Sequence, residues 1–199
     1  MERLLSRLDK ISLLETELKK YLKDVIKTSY PKKGDDLVRP DDIANRIYFI
    51  EKGLIRGYRV EEDIERTYYF MTEGDVFISV RSFLTQTPAT EYIECKEDCI
   101  LHSISFKELR YAYAEYPSFN FHRAELLQYY YLLSIEREEM RQLPAYGRYC
   151  FLMKNQPQLI GRVQDKYLAS YLNIAKSTFS RKKGEYQKKL KENSRSKRC

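Results

Sequence analysis

Histidine and cysteine are scarce in this chain, which has two histidines and four cysteines among 199 residues. Cys95 and Cys99 are the only closely spaced cysteines, and no second cysteine or histidine pair lies near them in the sequence. A metal site needs about four convergent ligands, so we expect neither a bound metal nor another cofactor. We expect the cysteines to be reduced thiols of an intracellular protein.

Long apolar runs are also absent. A membrane-spanning helix needs roughly 20 consecutive apolar residues, and no segment approaches that length. The N-terminal segment MERLLSRLDKISLLETELKKYL is amphipathic and carries acidic residues, unlike the apolar centre of a signal peptide. With 43% hydrophobic and 33% charged residues, the composition is that of a folded domain. We expect a cytoplasmic protein with no membrane partner.

Negative charge is nearly absent from the C-terminal third. Residues 142–199 hold 14 Lys and Arg residues and three acidic residues, a net charge of +11, whereas the first 141 residues carry −4. An acidic body joined to a basic C-terminal part is typical of a polyanion-binding module attached to a partner domain. A solvated lysine tail would have the same charge.

Hydrophobic periodicity divides the chain into helical and sheet-forming parts. Leucines at three- and four-residue spacing predict a helix over residues 3–27. Short β-rich runs between residues 32 and 104 are separated by Gly, Asp and Pro signals. They predict a small antiparallel roll or barrel, so the fold class is α+β with a jelly-roll-like N-terminal part.

The second half of the chain is predicted to be helical. A short helix over residues 106–115 precedes a long one that ends near Gln142, and shorter helices follow Pro144. The predicted organisation has three parts: a sensor roll with its N-terminal helix (1–117), a long helix (118–142) and a small helical domain with a basic tail (143–199).

The long helix carries an apolar stripe with gaps of three, four and seven residues, close to a heptad pattern. Two interpretations remain open: the stripe packs on the body of the same protomer, or it is the seam of a dimer. Arg123 and Arg137 fall on the same stripe and weaken the second interpretation. The predicted dimerisation residues are Leu126, Tyr130, Leu133 and Met140.

The segment DKYLASYLNIAKSTFSRKK, residues 165–183, has the spacing of a helix-turn-helix. Ala169 is the small residue that two steeply crossing helices need where they touch. Asn173 is the best non-glycine residue for the positive φ of the turn. Leu168, Leu172 and Phe179 supply the apolar contacts between the helices.

The second helix of this motif presents polar and basic side chains away from its apolar side. The N-terminal part of such a helix enters the DNA major groove, where an Arg can donate to both O6 and N7 of guanine. The predicted DNA-binding residues are Lys176, Ser177, Thr178, Arg181, Lys182 and Lys183.

These motifs resemble the Crp/Fnr superfamily of bacterial transcription regulators, in the form common in Bacteroidetes-type genomes. RVQDKYLASYLNI and STFSR stand where that group has its helix-turn-helix, and YFIEKGLIRGYRV, EGD, SFLTQTPA and IECKED follow its sensor roll in order. The resemblance covers roughly residues 30–186. It implies a cyclic-nucleotide-binding-like roll, a winged helix-turn-helix and a homodimer on double-stranded DNA, with RNA polymerase as a further partner.

Three residues depart from the family pattern of the recognition helix. Ala175 stands where a capping Ser or Thr is usual, so Ser177 is expected to start the helix. Lys182 occupies a normally apolar position. Gly184 lies inside the helix and costs about 1 kcal/mol relative to Ala.

The resemblance also implies an effector pocket, in which cAMP-binding members use a Glu for the ribose and an Arg-Ser/Thr pair for the cyclic phosphate. Here Ser79 replaces the Glu and Ala89 replaces the Arg, while Thr90 keeps the hydroxyl and Arg81 lies nearby. Without the charge-assisted Arg–phosphate contact, we expect a protein that does not respond to cAMP. Its effector, if it has one, is not identified.

The cofactors used by sensors of this family can also be compared with the residues of this chain. An iron–sulfur sensor needs an N-terminal cysteine cluster, and the first 94 residues contain no cysteine. Haem needs an axial ligand, but His102 falls on a predicted core strand and His122 on the long helix. We interpret both histidines as structural.

Two other classes of function remain. A sensing or interaction module could use the basic part to bind RNA or another polyanion without sequence readout, but the tyrosines that would stack on single strands lie mostly outside this part. A cupin-like enzyme would need clustered metal ligands. We find no nucleophile–base pair and no phosphate-binding Gly loop, so we expect no enzymatic activity.

Overall fold

The computed structural model describes residues 1–196. It contains eight strands, eight α-helices and one 3-10 turn, Pro157–Leu159. The strands are β1 (Lys27–Ser29), β2 (Asp36–Val38), β3 (Arg46–Lys52), β4 (Ile55–Glu61), β5 (Ile64–Met71), β6 (Val76–Phe77), β7 (Tyr92–Cys95) and β8 (Ile100–Ser105). The helices are α1 (Glu2–Ile11), α2 (Thr16–Val25), α3 (Val80–Thr85), α4 (Phe106–Glu115), α5 (Phe119–Gln142), α6 (Ala145–Asn155), α7 (Asp165–Tyr171) and α8 (Lys176–Ser196).

The chain divides into two compact units. The first contains residues 1–64 and 68–130, and the second contains residues 65–67 and 131–199. The division falls inside α5, whereas the sequence predicted this helix to be a segment of its own. None of the helices within residues 1–196 is both long and apolar enough to cross a membrane.

The first unit is built on two four-stranded sheets, in the orders β1-β8-β3-β6 and β2-β7-β4-β5. Their ladders are antiparallel, as in the pairing of Arg56 with Glu94 and of Phe49 with His102. Apolar side chains such as Ile50, Ile93 and Leu101 are fully buried in one core cluster. The predicted antiparallel roll and the α+β class are confirmed.

The N-terminal prediction was wrong in one respect, because residues 3–27 form two helices and a short strand. Ser12 is extended, with φ −158° and ψ 142°, and it ends α1. The Leu14 amide donates to the Asp9 carboxylate at 2.9 Å, which stabilises the break by an internal hydrogen bond. The leucine pattern continues across the break because both helices bury their leucines in the same core.

The long helix ends at Gln142, as the sequence predicted, and part of its apolar stripe is buried. The side chains of Phe119 and Met140 are buried. The Val76 amide donates to the Tyr130 hydroxyl at 2.8 Å, and burial raises the pKa of Tyr130 to about 12. Met140 and Tyr130 therefore make contacts within the chain itself, and Leu126 and Leu133 are half-buried on the same side. The assignment of these four residues to a dimer seam stays a prediction.

Both histidines are buried and have hydrogen-bond partners in the first unit. His122 Nε2 lies 2.9 Å from the Ser12 carbonyl and 3.1 Å from the Leu8 carbonyl, at the end of α1. His102 Nδ1 lies 2.9 Å from the Thr28 hydroxyl, and its Nε2 lies 3.3 Å from the Glu51 carboxylate. Desolvation lowers the pKa of His102. These contacts give the two rings the structural role that the sequence predicted.

Candidate nucleic-acid interface and sensor roll

The helix-turn-helix of the second unit has the predicted turn. Asn173 has φ +50°, and the Ile174 amide donates across the turn to the Ala169 carbonyl at 3.0 Å. Leu168, Leu172 and Phe179 are fully buried. Because Ala169 is also buried, a larger side chain there would separate the two helices.

Arg148 on α6 holds this turn, and sequence reasoning missed it. Its guanidinium donates to the carbonyls of Leu172 and Asn173, at 3.0 and 2.9 Å, and to that of Leu143 at 2.8 Å. These hydrogen bonds satisfy the carbonyls that the end of α7 leaves open. One arginine among many in a basic segment gives no sequence signal for this role.

The inner face of α8 packs on α6 through aromatic rings. Phe179 and Tyr186 lie 5.4 and 5.5 Å from the ring of Tyr149, measured between centroids. Lys182 occupies a position that is normally apolar, and Tyr186, one helical turn later, supplies apolar packing against Tyr149 near it. The helix begins at Lys176 after the exposed Ala175, so the expected start at Ser177 was wrong.

Several cations of α8 are held by the domain itself. Lys183 pairs with Asp165 at 3.1 Å, and Lys182 pairs with Glu185 at 2.8 Å. Lys189 lies 3.3 Å from Glu185 and 4.1 Å from the centre of the Tyr146 ring. Hydrogen bonds from Lys182 and then Lys189 lower the pKa of Glu185. The half-buried Lys182 and Lys183 are thus engaged within the domain.

The outer face of α8 carries cations of a different kind. Arg181 and Lys188 are exposed, and within residues 1–196 neither has an ion-pair partner. Lys176 and Ser177 at the start of the helix are also exposed, and Thr178 is half-buried. This face can therefore offer free positive charge and hydroxyl groups to a polyanion without first breaking a contact.

In the first unit, the four predicted pocket residues differ in burial. Ser79 and Ala89 are buried, but Arg81 and Thr90 are exposed. Ala89 is fixed through its backbone: its amide donates to the Asp42 carbonyl at 2.8 Å, and its carbonyl accepts from the Asp41 amide at 3.0 Å. The exposed Arg81 does not replace a buried phosphate clamp.

A different arginine, Arg56 on β4, is fully buried in the roll. Its guanidinium lies 3.6 Å from the Glu94 carboxylate and 4.2 Å from the centre of the Tyr58 ring. The negative charge of Glu94 and the face of the ring both stabilise this cation. The burial of Arg56 was not predicted, since the strand LIRGYRV alternates too weakly to show which face it occupies.

Tyr69 fills the space beside Gly57 in the same sheet. A Cβ on Gly57 would lie 2.2 Å from Cζ of Tyr69 and 2.5 Å from both Cε atoms. The ring therefore rests directly on the β4 backbone, where only glycine leaves room for it. The chain's own aromatic side chain occupies this part of the roll.

We expect Gly57→Ala to destabilise the protein by about 1–3 kcal/mol, because the new methyl group and the Tyr69 ring need the same space. Urea denaturation of the two proteins measures the difference. Combining Gly57→Ala with Tyr69→Leu should recover part of the loss, because the smaller side chain makes room. If the single variant is as stable as the parent, the ring does not fill this space in solution.

Comparisons with known proteins agree with this architecture. Residues 29–116 match the family model of the cyclic nucleotide-binding domain. FixK2 from Bradyrhizobium japonicum is similar in structure, with a TM-score of 0.72, 16% identity and coverage of 83% of this chain and 86% of that chain. No match was found among curated proteins.

Two further solved structures share the fold. The c-di-GMP responsive global regulator CLP of Xanthomonas campestris has a TM-score of 0.68 and 15% identity, over 88% of this chain and 93% of that one. A putative transcriptional regulator of the crp/fnr family from Eubacterium rectale has a TM-score of 0.67 and 18% identity, over 88% and 85%.

The fold is that of a sensor roll followed by a helix-turn-helix. Residues 29–116 are similar to a cyclic nucleotide-binding domain, and the chain shares the fold of solved Crp/Fnr-family structures, so the fold that the resemblance implied is confirmed.

Proposed function

We propose that this protein is a homodimeric transcription regulator that binds double-stranded DNA in a sequence-specific manner and does not respond to cAMP. The observation that carries this proposal is the outer face of α8, where Ser177, Arg181 and Lys188 are exposed beside a turn fixed by Arg148. A rigid helix with free hydrogen-bond donors at its N-terminal half suits a major groove.

The six predicted DNA-binding residues take different parts in this proposal. Ser177 and Arg181 face outward and would reach base edges, and Lys176 and Thr178 lie near the phosphates at the groove entrance. Lys183 ties α8 to α7 through Asp165. Lys182 pairs with Glu185 of its own helix and lies 5.7 Å from the centre of the Tyr146 ring on α6. We assign these two lysines to positioning and not to direct contact.

The dimer is supported by a second apolar stripe on α5, which sequence reasoning did not select. Its members follow alternating three- and four-residue steps, the spacing of a coiled-coil seam. Tyr131 is 67% exposed and Phe121 is 52% exposed, far more than soluble helices usually leave uncovered in a row. The stripe consists of Phe121, Ala124, Gln128, Tyr131 and Ile135.

A second copy of this chain fits that stripe. A heptad spacing indicates a helix partner with the same period, and Leu127 and Leu132 flank the seam with about half of their surface exposed. Gln128 in the middle is the kind of polar residue that sets the register of paired helices. In such a dimer two recognition helices lie about 34 Å apart, one turn of DNA.

The lack of a cAMP response rests on the sensor roll. Arg81 is exposed, Ala89 has no charge to offer, and the buried Arg56 is already paired with Glu94. A cyclic phosphate would therefore enter the roll without a free cation to compensate its charge, which is costly in a buried site.

Selection of duplexes from a random-sequence pool tests the proposal. Purified protein is used at near-physiological salt without added ligand, and the selection is repeated with saturating cAMP. A two-fold symmetric motif that is the same in both selections is expected. Salt-sensitive binding with no enriched motif, or equal affinity for RNA of random sequence, would instead favour a polyanion-binding module.

A further inference from the structure

We propose that Gly184 marks the point where the α8 backbone packs directly against the sugar–phosphate wall of the groove, with Lys188 neutralising a phosphate next to it. This inference rests on the proposed DNA binding and adds a contact of stated chemistry, a phosphodiester backbone. It assigns a role to a residue that otherwise only weakens its helix.

No contact among the described residues explains a glycine at this position. Gly184 lies in the interior of an exposed helical segment, and a Cβ built on it would have no atom within 4 Å. Glycine in a helix interior is less stable than alanine, because it loses more conformational freedom on folding. The space that a Cβ would take is open in the free protein and is available to a partner.

The position of Gly184 around the helix is that of the proposed DNA face. At about 100° per residue, Ser177, Gly184 and Lys188 lie within about 40° of one another. The packed rings of Phe179 and Tyr186 lie about 150° away from Gly184 on the opposite side. Gly184 is thus at the centre of the outward face.

Distances along the helix axis place the residue at the groove wall. At 1.5 Å per residue, Lys188 is about 10.5 Å beyond Arg181, and Gly184 lies between them at about 4.5 Å. The major groove is about 12 Å wide. When Arg181 contacts base edges at the floor of the major groove, Gly184 and Lys188 lie where the helix leaves the groove. There the helix passes the sugar–phosphate backbone of one DNA strand.

Over this stretch the helix is held against α6, which fixes the direction of its outward face. Tyr186 packs on Tyr149, and the Lys189 amine lies over the Tyr146 ring. Both contacts tie α8 to α6 beyond Gly184. Lys188 remains exposed and, within residues 1–196, without an ion-pair partner, in contrast with Lys182, Lys183 and Lys189.

The test compares Gly184→Ala with the matched control Gln187→Ala, which changes an exposed position of the same helix without adding bulk. Affinity for the selected operator is measured by fluorescence anisotropy, and stability by thermal unfolding. We expect Gly184→Ala to raise the unfolding midpoint and to weaken operator binding by about tenfold, since the methyl group separates the backbones. Gln187→Ala should leave affinity unchanged.

Lys188→Ala gives an independent readout. It should reduce the slope of log affinity against log salt by about 0.9, the value for one phosphate contact, whereas Gly184→Ala should leave this slope as it is. Unchanged or tighter binding by Gly184→Ala overturns the inference, as does a lowered unfolding midpoint, because the site would then not be open. Failure of the parent protein to select any operator would count against the proposed function itself.

Discussion

Replacing Arg181 by alanine should cost about 1–3 kcal/mol of specific binding and relax the preference at one base position. Arg181 is exposed on the outer face of α8, four residues after Ser177, and has no ion-pair partner within the described residues 1–196. Its guanidinium can therefore donate to both acceptors of a guanine without first leaving another contact. Anisotropy titrations on the operator and on duplexes mutated at each position measure the change.

Arg181→Lys separates charge from geometry. Lysine keeps the positive charge but lacks the planar fork that reaches two acceptors together, so this variant should also lose base preference. It should keep more of the non-specific binding than Arg181→Ala. If both variants lose the same factor on every sequence, Arg181 contacts only phosphate.

Tyr131→Arg should dissociate the dimer and weaken operator binding by at least about 100-fold, because each protomer then binds one half-site alone. Two arginines would face each other within the seam, and like charges at such positions oppose pairing. Tyr131 is 67% exposed in the protomer, so the protomer should still fold. Sedimentation equilibrium measures the mass against the 23.9 kDa of one chain.

Leu13→Arg is the control for this variant. Leu13 is also a highly exposed apolar residue, at 79%, but it lies between α1 and α2, outside the seam. This variant should remain dimeric and keep its affinity. A dimeric Tyr131→Arg protein with the parent's circular dichroism spectrum would show that the two copies meet elsewhere.

The helix-turn-helix could be predicted from the sequence because each of its requirements belongs to a particular residue type. A small residue at Ala169, a residue tolerant of positive φ at Asn173 and apolar residues at fixed spacing satisfy local geometry. The structure places these side chains as expected, with Asn173 at φ +50°. The roll was predicted for a similar reason, since turn signals separate its strands.

The α5 stripes show why other features could not be predicted. Both stripes have seven-residue periods, and periodicity alone does not say which of two apolar faces the body covers. The answer depends on a hydrogen bond from Val76 to Tyr130, between residues 54 positions apart. The pairing of Lys183 with Asp165, the turn contacts of Arg148 and the burial of Arg56 are likewise set by tertiary contacts.

The ring of Tyr69 against Gly57 has a consequence for how such a regulator could be controlled. A ligand shifts a protein between states only through its own binding free energy, which requires room for it to bind. The Tyr69 ring occupies the space beside Gly57, so a ligand could bind there only by displacing the ring. The concentration of the protein is a second variable that a cell can adjust. For the proposed dimer, doubling the chain concentration raises the amount of dimer about fourfold while most chains are monomeric. Synthesis and degradation of the protein would then set how much dimer is available to bind DNA. The steep dependence on chain concentration would come from pairing alone.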